Sequence, residues 1–294
     1  MQRKNGNHLI LLFMQFNTHI PTLPYSLFIE SIFHYKNFIP GHSQERVVPN
    51  GHMYLIFELD DIPRNTIDND TLEPLETFEK AWISGQQKHY ITISAHADSE
   101  MFVVQFKACG AAPFLHTNIH MITNRVLPAV EILGTGVLEL RKELLSGESP
   151  TKKFQIIDKW LKKQFDETWE PPAPLQKVLE ELKDKPVSKL SKAIEKYPKS
   201  QKHLIEQFKK YVGLTPKAFQ RIIRFNEIFQ KIKGNNQVAW AEIAYQCGYS
   251  DQSHFIKEFT HFSGFNPQEF IAQKFINNED NFFPLDSKDQ ASPN

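Results

Sequence analysis

FKKYVGLTPKAF at residues 208–219 and FTHFSGFNPQEF at residues 259–270 are two copies of one pattern. In each, five residues lead from Phe to Gly, three from Gly to Pro and three from Pro to Phe. Upstream, Ser200 and Leu204 of the first copy answer to Ser250 and Phe255 of the second. A repeat of this kind reports one supersecondary unit used twice.

The unit reads as a helix-turn-helix. In the second copy Ile243, Ala244 and Cys247 share a face of a helix that starts near Trp240. Gly248 suits the left-handed residue that ends a helix. Ser250 is the expected N-cap of the next helix, with the negative charge of Asp251 in its first turn. That helix, about 251–262, turns Phe255, Phe259 and Phe262 inward. Gly264 stops it, and Pro267 suits the first turn of the helix that follows. Two short helices joined by a tight glycine turn match the DNA-binding motif whose second helix enters the major groove.

GYSDQSHFIKEFTHFSGFNPQEF resembles the second helix-turn-helix of AraC-type transcriptional regulators. SQKHLIEQFKKYVGLTPKAFQRIIRF resembles their first motif and the helix linking the two. The resemblance covers roughly residues 175–275. It implies two recognition helices on one side of a DNA duplex, about one turn (~34 Å) apart. RNA polymerase, a small-molecule effector and a second copy of the chain are partners that it allows.

On the second recognition helix Gln252, Ser253, His254 and Lys257 are the candidate base or phosphate contacts. Gln can bridge adenine N6 and N7, and Lys can take guanine or phosphate. On the first, the outward residues are Gln201, Lys202, Ile205 and Glu206. Ile205 can meet a thymine methyl. Glu206 can accept from cytosine N4 but repels phosphate. The linking helix, about 216–233, has Phe219, Ile222, Ile223 and Phe229 as its packing stripe. Arg221 and Arg224 lie off that stripe, as phosphate contacts or as plain surface charge.

The copies differ at the turn. Cys247 reaches Ser250 in three residues, whereas Ile194 reaches Ser200 in six, through Pro198 and with no glycine. The first motif is therefore expected to dock less tightly or with altered specificity.

Formal net charge is zero, but it is unevenly placed. Residues 175–275 hold 17 Lys/Arg against 10 Asp/Glu, and the remainder 17 against 24. A basic module joined to an acidic one fits a polyanion binder with a regulatory partner. The two cysteines, Cys109 and Cys247, argue for a reducing compartment, hence the cytoplasm, and against a disulfide framework.

The length predicts two domains. Residues 1–30 read as an N-terminal extension. Its apolar run, Leu9 to Phe16, is too short to span a bilayer and fits a first strand or a loosely docked segment. Residues 31–168 read as a sensory or regulatory domain, mostly β and barrel- or sandwich-like, with helices after it. Strands are expected at 54–59, 82–85, 90–93 and 101–106, and a loop at 60–74. Helices are expected near 113–116, 137–145 and 151–165. Trp169-Glu170-Pro171-Pro172-Ala173-Pro174 is a stiff break, taken as the linker 169–174. Residues 175–275 form the DNA-binding domain, all α. The polar tail 276–294 is expected to be disordered. The fold class is α+β.

ERVVPNGHMYLIFEL, WISG, VVQFKACGAAPFL and NRVLP follow the order of the N-terminal domain of one AraC-type subgroup whose ligand is unassigned. Ala108-Cys109-Gly110 stands where related proteins tend to have Pro-Gly-Gly.

No catalytic constellation emerges. His42, His52, His89, His96, His116 and His120 all lie in the N-terminal domain, but only His116 and His120 have helical i, i+4 spacing, and no local acid completes a zinc site. Cys109 has no assignable base. Gly134-Thr135-Gly136 lacks a phosphate-loop context. The reading is a sequence-specific, non-enzymatic transcription regulator without cofactor or metal. The alternative is an enzyme or a metal- or alkyl-responsive module fused to a DNA-binding domain, which requires a reactive cysteine.

Overall fold

The computed structural model describes residues 14–232, 238–273 and 281–286. Eleven strands, β1 to β11, occupy Gln15–His19, Ile29–Phe38, Gln44–Val47, Met53–Glu58, Arg64–Ile67, Pro74–Phe78, Ala81–Ser84, Ile91–Ser94, Ser99–Phe106, Val126–Pro128 and Phe282–Pro284. They form two sheets of the described residues, ordered β1-β2-β9-β4-β7-β10 and β11-β3-β8-β5-β6. All pairings are antiparallel.

Period-2 alternation divides the larger sheet. On one face Leu55, Phe57, Ile83, Phe102, Val104 and Phe106 join the main core. Helices α1 (Ala112–Leu115), α2 (Val130–Leu133), α3 (Gly136–Ser146) and α4 (Pro150–Gln164) follow in sequence. The Phe106 and Phe114 rings lie 5.7 Å apart and those of Phe102 and Phe154 5.6 Å apart. On the other face Ile56, Trp82 and Val103 meet Phe78 of the smaller sheet. The N-terminal part is thus mostly β, followed by helices, as the sequence implied.

Within the stretch 60–74, expected to be a loop, the structure places β5. Its start, Arg64, is buried because Glu58 and Asp60 receive it at 3.0 and 2.6 Å. A strand anchored by a buried ion pair carries no apolar alternation to read. The apolar run before β1 lies outside the described residues up to position 13. His116 and His120 do not share a helix. His116 caps α1 in the left-handed conformation, and His120 lies in the one-turn 3-10 helix Ile119–Ile122.

After the Pro171-Pro172 break come α5 (Ala173–Asp184), α6 (Leu190–Glu195), α7 (Gln201–Tyr211), α8 (Pro216–Ile232), α9 (Trp240–Gln246), α10 (Gln252–Ser263) and α11 (Pro267–Ala272). Lys233, the expected end of the linking helix, lies outside the described residues. α8 buries Phe219, Ile222, Phe225, Ile228 and Ile232 in one stripe. Phe225 stacks within 5.0 Å of Phe262 and 5.7 Å of Phe259, so the linking helix and α10 share a core.

The tail expected to be disordered contributes β11, which pairs with β3 of the N-terminal domain. Three residues are too few to show periodicity. What holds them is long-range: Phe283 inserts among Phe229, Phe265 and Phe270, and Asp286 accepts from the amides of Ser43 and Gln44 at 2.9 and 3.0 Å.

Candidate nucleic-acid interface

Both motifs turn an aromatic face inward and a polar face outward. In α7, Leu204, Phe208 and Tyr211 are buried. Gln201, Lys202 and Glu206 are exposed and Ile205 half-buried. The Ser200 hydroxyl accepts from the His203 amide at 3.2 Å, as expected of an N-cap. The longer turn before it is not slack. Tyr197 is buried there, with its hydroxyl 2.7 Å from His203 Nδ1.

In α10, Phe255, Phe259 and Phe262 are buried, while Gln252, Ser253, His254 and Lys257 are exposed. The cap differs from the expected one. Asp251, not Ser250, is the N-cap, and its carboxylate accepts from the His254 amide at 2.8 Å. Ser250 donates to Asp251 at 2.9 Å. These bonds hold the Asp251 carboxyl below its ordinary value, the His254 amide contributing most. A negative cap complements the positive end of the helix dipole. His254 also rests against Tyr249, ring centres 5.5 Å apart.

Ile256, 38% exposed, and Thr260 lie outward on α10 as well. They were missed in the sequence, although counting i, i+4, i+8 from Gln252 finds them. Across an open cleft from Ile256, Lys257, Thr260 and His261 stand Asn69, Asp70, His89 and Tyr90 of the N-terminal domain.

Arg221 and Arg224, expected as phosphate contacts or surface charge, have an ion-pair partner within the protein. Both face Glu258, which is only 7% exposed on the inner side of α10. Arg221 Nε donates to Glu258 Oε2 at 2.9 Å and to Oε1 at 3.1 Å. Arg224 Nη2 stands 3.8 Å from Oε2, with its guanidinium 4.4 Å above the Tyr249 ring. Burial works to raise the Glu258 carboxyl, but the Arg221 hydrogen bonds and both positive charges outweigh it and hold it below the ordinary range. The pair ties the linking helix to the second recognition helix. Residues 221 and 258 are far apart in sequence, so no local pattern announces it.

Cys109 lies in surroundings that disfavour its charged form. Burial pushes its thiol up to about 11, away from the thiolate that reactivity needs. Cys247 is pushed up to about 11 by the same cause. Among the described residues no group of three or more His, Cys, Asp or Glu side chains could hold a metal ion.

Residues 195–273, which include both recognition helices, match the family model described as a helix-turn-helix domain. The chain carries a helix-turn-helix domain over the stretch where its two repeated motifs lie. Residues 17–128 match a second model, described as a domain of unknown function (DUF6597). Among solved structures, ToxT from Vibrio cholerae resembles the chain. In one crystal form the identity is 12%, the match covers 90% of this chain and 99% of that one, and the TM-score is 0.44. For wild-type ToxT bound to an unsaturated fatty acid the values are 12%, 90%, 96% and 0.43. No curated protein matches. Among the described residues, no helix is long and apolar enough to cross a membrane.

Proposed function

We propose that this chain is an AraC-type DNA-binding regulator of transcription and reads two adjacent major-groove segments. Gln201, Lys202, Ile205 and Glu206 serve the first, and Gln252, Ser253, His254 and Lys257 the second. The observation that carries this reading is the repeat itself: two copies of one motif, each with a buried aromatic face and an exposed polar one. Ile256 and Thr260 extend the second surface. Arg221 and Arg224 act by holding α10 through Glu258.

The two surfaces are unequal. The first carries Glu206, which opposes phosphate, and the second carries Lys257, which attracts it. The second motif therefore supplies more of the affinity. Selection of sites from a random DNA pool by the full chain tests the reading, with two conserved segments one helical turn apart expected. Lys202→Ala and Lys257→Ala, compared by quantitative footprinting on the selected site, test the asymmetry. A larger loss at Lys202 overturns it.

The N-terminal domain is read as the module for effector binding or dimerisation. Buried polar groups of the β domain support the former. Trp82 Nε1 donates to buried Glu58 at 2.8 Å, and Arg64, which also donates to Glu58, leaves a buried Nη1 without a hydrogen-bond partner. Domain boundaries at 31–168 and 175–275, a second copy of the chain, RNA polymerase as a partner and a cytoplasmic location belong to the same reading.

A further inference from the structure

The glycines that mark the repeat, Gly213 and Gly264, end the two recognition helices in the left-handed conformation, with φ of 84° and 74°. Each amide closes its own helix: Gly213 N–H donates to Phe208 O at 3.0 Å and Gly264 N–H to Thr260 O at 2.8 Å. Their carbonyls are left over, at the negative end of each helix. In both copies the N-terminal domain takes that carbonyl. Thr123 Oγ1 lies 2.9 Å from Gly213 O, and Arg46 Nη1 donates to Gly264 O at 2.7 Å.

Both contacts are close-packed. A Cβ on Gly213 would collide with Thr123 Oγ1. A Cβ on Gly264 would come within 2.6 Å of Tyr90 Cζ and 2.8 Å of Arg46 Cζ. The Arg46 guanidinium lies 4.8 Å from the Tyr90 ring centre and 4.4 Å from that of Phe265. Between these glycines in the chain, α8 rests on the Pro49–Gly51 turn. Asn226 Nδ2 donates to Pro49 O at 2.9 Å, and a Cβ on Gly51 would stand 3.1 Å from Phe219.

We propose that Thr123 and Arg46 are positioning residues for DNA recognition, gripping equivalent carbonyls after the two recognition helices so that the N-terminal domain sets the spacing at which they meet the duplex. The inference rests on the two-segment reading above. A surface that merely packed on the helical domain would have no reason to meet the repeat twice at the same position. By gripping both ends it adds a second constraint on rotation of α7 against α10, beyond the packing that each makes on α8. Each base pair inserted between the segments shifts the second by about 3.4 Å and turns it by about 35°. A rigid reader should reject that and a loosened one tolerate it.

The test uses full-length chain carrying Arg46→Ala with Thr123→Val, and Arg46→Lys as a milder variant that keeps the charge. Binding is measured on the selected site and on sites lengthened or shortened by one base pair. The wild type should lose affinity about tenfold or more per base pair changed, and the double variant less than about threefold, with R46K between. Spin labels at Lys209 and Gln268, with both native cysteines replaced by alanine, should give a narrow distance distribution in the wild type and a broadened one in the double variant. Equal spacing discrimination in wild type and double variant, or unchanged distance widths, would overturn the proposal. Failure of the wild type to select any DNA would instead strike the function reading, and the distance widths would still decide the clamp.

Discussion

Phe283→Ala is expected to destabilise the protein by about 3 kcal/mol. Phe283 is 2% exposed, whereas its neighbour Phe282 is 41% exposed. Its ring lies 5.0 Å from Phe270 and 5.5 Å from Phe229. Burying an aromatic ring removes roughly 150–250 Å² from water. At ~25 cal/mol per Å² that gives about 4–6 kcal/mol as an upper bound. Phe→Ala changes in cores cost ~3–5 kcal/mol. The lower end applies because β11 is a three-residue edge strand paired only with β3 and can withdraw, which caps the loss at the net docking energy of the segment. Withdrawal would also free the edge of β3, where Phe283 pairs with Arg46. The measurements are urea unfolding and amide exchange. The Leu285 amide donates to Gln44 O and the Val48 amide to Asn281 O, both at 2.9 Å, and both should lose protection in the variant. Phe282→Ala, on the open side of the strand, should stay within about 0.5 kcal/mol. A loss below about 1 kcal/mol for Phe283→Ala, with Leu285 still protected, would show that the tail is not part of the fold.

Gln252→Ala should weaken specific DNA binding by about 1–3 kcal/mol and spare non-specific binding; an equal loss on random DNA contradicts base readout at that position. Ile223→Pro should cost roughly 3 kcal/mol or more by breaking α8 at its middle, and a variant that still footprints both segments refutes the rigid linking helix. Burial raises the Glu58 carboxyl to about 7 from 4.5, against the opposing pull of Arg64 and Trp82. The folded state therefore holds this proton better than the unfolded one. The stability Glu58 contributes is fully present below about pH 4.5 and is lost as pH rises through about 7. Urea unfolding between pH 4 and 8 should show that decline and Glu58→Gln should flatten it; equal slopes in both proteins would exclude Glu58 as its source.

What could be read from the sequence, and what could not, divides by how far the stabilising contact reaches. Phe255, Phe259 and Phe262 repeat at helical spacing, so the inner face of α10 and the outward position of Gln252 and Lys257 follow from counting. Leu55 and Phe57 alternate with Tyr54 and Ile56, so β4 follows too. In each case apolar burial is the main driving force and leaves its period in the chain. β5 begins instead with Arg64, whose burial depends on Glu58 and Asp60. β11 depends on one ring entering a pocket of three others. Neither has a period. Arg221 and Arg224 show the consequence for the interface. Their position off the packing stripe was legible, but a buried charge needs a partner, and Glu258 looks from sequence like one more solvated residue of α10. It is solvated on no side that matters: turned inward, it recruits both arginines from the linking helix. Glycine carries the same ambiguity. Gly213 and Gly264 are each sufficiently explained by a helix that must end, and that local account hides the second constraint, a side chain of the N-terminal domain that leaves no room for a Cβ. A residue type fixed twice over looks, in one sequence, the same as one fixed once.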